Sequence, residues 1–227
     1  MQYKKVTHVI FDLDGLLINS EELYTESFSR VCAKYGKVFT WDLKSKLLGF
    51  QGQECADIII KTLELPVTRE QFMKECSQVN QEVFTNVELM PGAKKLVEHL
   101  HNRGIPIALA TSSSRESVDL KMKNHKGLLQ LFHHLTMGTS DPEVTKGKPD
   151  PCIFLVCASR FDEKPESENC LVFEDAVNGV KAACAANMPV VAVPDPRIDP
   201  QQLENATLVL KSLEDFQPEL FGLPSYD

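Results

Sequence analysis

Five apolar runs of strand length punctuate this chain, at Val6 to Phe11, Ile105 to Ala110, Leu135 to Met137, Cys170 to Phe173 and Val190 to Val193. The stretches between the last four carry helical spacing. Such alternation implies a parallel sheet, because each strand needs a crossover to start again from the same end, and the crossover helices cover both faces. Right-handed crossovers make the fold class α/β, a doubly wound parallel sheet. A chain of 227 residues can bury one such core together with a smaller insert.

The insert is visible as an interruption of the pattern. From Asn19 to about Asn86 the chain reads as helix without a convincing strand, whereas everything after Met90 alternates strand and helix. Asn19 with Glu22 three residues on is compatible with a capped start, and Gly36 can close that helix. Thr68 with Gln71 repeats the capping spacing ahead of a helix running to about Phe84, and Pro91 and Gly104 bracket another, with the proline in its first turn. We therefore expect a core of residues 1–18 and 88–227 and a helical cap domain of residues 19–87. The insert follows the first strand, so it leaves and re-enters at that strand's carboxyl end, the edge where open α/β sheets bind ligands.

Charge narrows the function classes. A formal net charge of −8 with no basic run argues against a nucleic-acid polymer as partner, and no apolar run approaches membrane-spanning length. Any attraction for an anionic ligand has to be local. Seven cysteines without a C-x-x-C pair suggest neither a disulfide framework nor a zinc site, and read as buried reduced thiols of a cytoplasmic protein. One core and one cap need no partner to bury their apolar surface, so a monomer is expected.

Four short segments carry the chemistry. FDLDG places Asp12 and Asp14 directly after the first strand, with a glycine that already signals a turn. LATSSS places Thr111 and Ser112 after a strand, KGKPDP carries Lys148, and VFEDA ends a strand on Glu174 and Asp175. Each alone has an ordinary structural explanation: a solvated turn, a helix cap, a loop lysine, a strand end. Together, in this order and at one edge of a sheet, they make a site of clustered carboxylates with one lysine and hydroxyl donors.

In these four segments the chain resembles the haloacid dehalogenase superfamily, and the resemblance covers nearly all of it. It implies a Rossmann-like core and Mg²⁺-dependent phosphoric monoester hydrolysis. Asp12 is then the nucleophile that forms an aspartyl phosphate, and Asp14 the general acid and base, a role that implies a raised pKa. Thr111, Ser112 and Lys148 are phosphate-binding, with Thr111 and Lys148 also counted as catalytic. Mg²⁺ would be held by Asp12, Asp175 and the main-chain carbonyl of Asp14, with Glu174 as a supporting carboxylate.

The position of the insert and the VFEDAVNGV segment are similar to the branch that holds β-phosphoglucomutase and small sugar-phosphate phosphatases. The implied partner is a small phosphorylated metabolite. Pseudouridine 5′-monophosphate is the first candidate, and another sugar or nucleotide monophosphate is the alternative. A mutase is disfavoured because Tyr24 stands where such mutases tend to carry histidine, and a silent binding protein because the essential carboxylates and lysine are present. Specificity is expected from Glu21 and Tyr24 on the first helix of the insert and from Gly49, Gln51 and Gln53 in a loop. Asn187 occupies a position expected to be left-handed.

Overall fold

The computed structural model describes residues 3–48, 50 and 52–226. The first strand, β1 (His8–Phe11), leads into four helices in succession: α1 (Glu21–Lys34), α2 (Trp41–Lys44), α3 (Gly52–Leu63) and α4 (Arg69–Val83). From there helix and strand alternate: α5 (Ala93–Asn102), β2 (Ile107–Thr111), α6 (Arg115–Lys121), α7 (Lys126–Leu129), β3 (His134–Met137), α8 (Cys152–Ser159), β4 (Cys170–Glu174), α9 (Val177–Ala185), β5 (Val190–Ala192) and β6 (Leu208–Val209). The strands form one parallel sheet in the order β3-β2-β1-β4-β5-β6. The doubly wound α/β expectation holds. β6 was not anticipated: two residues on a half-exposed edge leave no apolar run to detect.

The pleat divides the strands between two cores, since successive side chains point to opposite faces. Val9, Phe11, Leu109, Leu171 and Phe173 pack on one side with α5 residues Leu96, Val97 and Leu100. Ile10, Ala108, Ala110, Val172 and Val190 pack on the other with Phe154 of α8 and Val180 of α9. The C-terminal FQPELFGLPSY segment completes the first face: Phe216 meets Phe173 edge-on at 4.8 Å, and Phe221 stacks on Tyr3 at 4.7 Å. A third cluster lies wholly within the four-helix segment, built on Val31, Phe39, Ile59, Phe72 and Val79.

The chain leaves the sheet and comes back beside itself. The Asn19 N–H donates to the Glu88 carbonyl and the Met90 N–H to the Leu17 carbonyl, each at 2.9 Å. The helical segment is thereby hung from the carboxyl end of β1 on two adjacent strands of backbone.

Several local expectations need correction. Helix α1 is preceded by Ser20, not Asn19, and the Ser20 hydroxyl makes no cap because it is spent on Asp14. Pro91 lies before the α5 cap position, which is Gly92 at φ +81°. Thr68 does cap α4, accepting from the Gln71 N–H at 3.2 Å, and Asn187 is left-handed at φ +57°. All seven cysteines are free, but Cys152 and Cys184 are only half-buried. Burial pushes Cys55, Cys76, Cys157 and Cys170 up to about 12, so these thiols stay protonated and unreactive. Among the described residues no helix is long and apolar enough to cross a membrane.

Candidate active site

Three adjacent strands end at the same edge, and each delivers a polar group there. β1 delivers Asp12, whose N–H continues the ladder to the Phe173 carbonyl at 3.0 Å. The chain then turns at Gly15, φ +79°, where a Cβ would stand 2.1 Å from Asp175 Oδ2. Glycine is required there twice over, by conformation and by the approach of that carboxylate. β2 ends on the buried Thr111 and β4 on the buried Glu174, with Asp175 next.

Lys148 enters from the loop before α8 and is 2% exposed. Its ammonium donates to Asp12 Oδ1 at 2.5 Å, Glu174 Oε1 at 2.6 Å and the Ala110 carbonyl at 3.3 Å. The second oxygen of Glu174 accepts from the N–H groups of Asp175 and Ala176, at 3.1 and 3.2 Å. Burial raises the Asp12 pKa, Lys148 opposes that, and the like charges of Glu174 and Asp14 add to it, leaving Asp12 at about 7. Asp175 is pushed well above the carboxylate range by burial and by Glu174 and Asp12.

The residues present fit a divalent cation. Carboxylate oxygens of Asp12, Glu174 and Asp175 lie within 4.8 Å of one another, and all three residues are buried. Three carboxylates against the one ammonium of Lys148 leave two negative charges, which a divalent cation would balance. Hard oxygen donors are the set that Mg²⁺ prefers.

Asp14 has a different environment from Asp12. Its Oδ1 accepts from the Ser20 hydroxyl at 2.6 Å and the Lys121 ammonium at 2.5 Å, and its Oδ2 from Ser113 at 2.8 Å and Thr111 at 3.4 Å. Burial acts to raise its pKa, but the charge and hydrogen bond of Lys121, with Ser20 and Ser113, outweigh burial and hold it below the ordinary value. The raised pKa implied for Asp14 is therefore not what this arrangement produces. Lys121 was missed at the sequence level; its one signal was a lysine three residues after the buried Val118, on the apolar side of α6.

Above these groups lies a cavity of about 330 Å³. Asp12, Asp14, Thr111, Ser112, Lys148, Glu174 and Asp175 form its polar end, and Tyr24, Phe28, Phe39, Phe72 and Phe84 form an aromatic wall contributed by the helical segment and the turn after it. Of the residues assigned to specificity, Glu21, Tyr24 and Gln53 line it, while Gly49 and Gln51 lie outside the described residues. Lys44, also unanticipated, is buried at the cavity wall and donates to the Glu21 carbonyl at 2.8 Å.

A parallel sheet with carboxylates, a lysine and hydroxyls gathered at its carboxyl edge beneath a helical insert is an α/β architecture with a site suited to a metal ion and an anionic ligand. A family model for haloacid dehalogenase-like hydrolases matches residues 9–193, and the chain belongs to that family. It is 45% identical over 223 residues to the "Probable pseudouridine-5'-phosphatase" of Drosophila melanogaster, covering 98% of this chain and 96% of that one. It is 44% identical to "(DL)-glycerol-3-phosphatase 2" of Arabidopsis thaliana, covering 98% and 93%. Among solved structures, the β-phosphoglucomutase of Clostridium difficile superposes with a TM-score of 0.78 over 94% of each chain at 23% identity, a likeness of fold.

Proposed function

We propose that this chain hydrolyses a small phosphate monoester through an aspartyl phosphate on Asp12, with pseudouridine 5′-monophosphate as substrate. The observation that carries the reading is the placement of Lys148 between Asp12 and Glu174 at the polar end of an aromatic-walled cavity. A phosphoryl group can be bound and attacked at that end, and the planar base of a nucleoside leaving group can lie against the wall.

The ester is bound with its phosphoryl group toward Lys148, Thr111 and Ser112, whose donors meet its oxygens. An Asp12 carboxylate oxygen attacks phosphorus; the P–O ester bond breaks, its electron pair goes to the leaving oxygen, and that oxygen takes a proton from Asp14, which has to be protonated in the bound complex against the pull of Lys121 seen in the free protein. Asp14, now a carboxylate, takes a proton from a water whose oxygen attacks the same phosphorus, releasing inorganic phosphate and restoring the Asp12 carboxylate. Mg²⁺ held by Asp12, Asp175 and the Asp14 main-chain carbonyl, with Glu174 behind them, would supply positive charge where the anionic nucleophile approaches the anionic ester.

Residues 1–18 and 88–227 act in this scheme as the catalytic core and 19–87 as the cap domain. The side-by-side exit and return of the chain and the separate apolar cluster of the helices support that division. The protein works as a cytoplasmic monomer; its free thiols suit a reducing compartment. A smaller polyol or sugar phosphate is the second reading, favoured by the glycerol-3-phosphatase relative.

The test is phosphate release with Mg²⁺ from pseudouridine 5′-monophosphate, uridine 5′-monophosphate, glycerol 3-phosphate and ribose 5-phosphate, with Asp12→Asn as control. The highest kcat/KM is expected for the pseudouridine ester, and none for the variant. Preference for glycerol 3-phosphate would transfer the assignment to the second reading, and full activity in Asp12→Asn would remove the mechanism.

A further inference from the structure

Lys121 is the most completely enclosed cation near the site, with a side-chain exposure of 0%. Its ammonium has three N–H donors and meets three acceptors: Asp14 Oδ1 at 2.5 Å, Ser113 Oγ at 2.7 Å and the Tyr24 hydroxyl at 3.2 Å. It also lies 5.2 Å from the centre of the Tyr24 ring. Lysine is seldom fully buried, and a methionine would fill similar space without desolvating a charge, so packing alone does not account for it. Lys121 is not among the residues lining the cavity, whereas its partners Asp14, Ser113 and Tyr24 all are.

From this geometry we infer that Lys121 is a positioning residue for the reaction: it fixes the direction in which Asp14 presents its carboxyl group to the leaving oxygen, and through Tyr24 ties that direction to α1 of the helical insert. The inference rests on the role proposed above for Asp14. Ser20 and Lys121 grip one oxygen of Asp14 and Ser113 the other, so the carboxyl plane is set by groups on both sides of the chain. Proton delivery depends steeply on this alignment: a misplacement of about 1 Å costs about a hundredfold in rate. When the P–O bond breaks, the alcohol departs with the Asp14 proton, and the carboxylate left behind remains seated on Lys121. Tyr24 also approaches Ser117 Oγ at 3.3 Å, so a displacement of α1 would disturb the same cluster.

Leaving-group dependence distinguishes positioning from mere packing. An alkyl ester needs a proton on its departing oxygen, whereas p-nitrophenyl phosphate releases p-nitrophenolate, a stable anion that needs none. The quantity to compare is kcat/KM, which covers the steps through departure of the leaving group and excludes later breakdown of the phosphoenzyme. The alkyl ester is pseudouridine 5′-monophosphate, or whichever ester of the panel is cleaved fastest.

Lys121→Met is expected to lower kcat/KM for the alkyl ester by about thirtyfold or more while changing that for p-nitrophenyl phosphate by less than about threefold. Asp14→Asn should show the same bias more strongly, and the double variant should be no worse than Asp14→Asn alone, because Lys121 acts through Asp14. Tyr24→Phe keeps the ring and removes only the hydroxyl; a smaller bias of the same kind that disappears in the Asp14→Asn background serves as the test should Lys121→Met not fold, because a lost contact between Tyr24 and the ester would persist there. Equal losses on the two esters, or losses that multiply in the double variant, overturn the inference. If Asp14→Asn itself shows no bias, the acid role and this inference fall together; if it does and neither Lys121→Met nor Tyr24→Phe follows, only this inference falls.

Discussion

The Glu174 carboxylate occupies the space that a side chain would need at Gly179: a Cβ there would stand 1.9 Å from both Cδ and Oε1 of Glu174. Gly179 lies in the first turn of α9, and Asp175 and Ala176, just before that helix, donate their N–H groups to the same carboxylate. The missing side chain lets the carboxylate settle against the helix start while its other oxygen reaches Lys148. In an ordinary helix Gly→Ala stabilises by about 1 kcal/mol. Here Gly179→Ala is expected to destabilise, lowering Tm by several degrees, and to reduce kcat/KM at least about tenfold by displacing Glu174. A thermal melt and a steady-state assay decide it; a raised Tm with full activity would contradict the described contact.

Removal of the central ammonium should cost both stability and activity. Lys148 sits between Asp12 and Glu174, and Lys148→Met leaves the three buried carboxylates without it. We expect a loss of about 3–5 kcal/mol near neutral pH in the metal-free protein, measured by urea denaturation, and a fall in kcat of at least about a hundredfold. The stability loss should shrink as the pH is lowered and the carboxylates take up protons.

Metal and pH should act on stability together. The folded protein holds the Asp12 proton up to about pH 7, whereas the ordinary value for the group is 3.8. Between those values the folded state binds the extra proton, so the metal-free protein loses stability as pH rises across that interval. The raised pKa of Asp175 acts in the same direction. Mg²⁺ needs ionised carboxylates, so its stabilisation grows over the same range. Melts in a chelator and in excess Mg²⁺ at about pH 5 and about pH 8 should show Tm falling with pH in the first series and a larger Mg²⁺ shift at the higher pH. A Tm in chelator that is independent of pH would show that these carboxylates do not titrate as described.

Trp41, the single tryptophan of the chain, offers a spectroscopic handle on the seam between insert and sheet. The Arg197 guanidinium, oriented by Asp195, lies 3.8 Å from the centre of its ring, and Asn178 Nδ2 donates to the Leu48 carbonyl at 3.1 Å in the same seam. Arg197→Ala should cost less than about 1 kcal/mol, as expected for an exposed cation–π pair, while measurably changing the Trp41 emission. Unchanged emission in that variant would mean that the stacking is not maintained in solution.

What the sequence determined by itself was local. The unbroken apolar runs of the buried strands, the Thr68 cap and the placement of Asp12, Thr111, Glu174 and Asp175 at strand ends all follow from propensity and spacing over a few residues. Strand ends at one edge of a parallel sheet must converge, so the polar groups carried there could be anticipated before the sheet was seen.

Tertiary structure decided which charge faces which. Lys121 meets Asp14 across 107 residues of sequence, and that contact leaves Asp14 with a lowered pKa where the inferred role had implied a raised one. Ser20 gives up its helix-capping position to hold the same carboxylate, Gly179 is needed only because Glu174 folds back over it, and the tail is buried only because the sheet's face is there to receive it. None of these pairings has a local signature. The energy of each depends on distance and desolvation between groups remote in the chain, and those exist only once the core has packed.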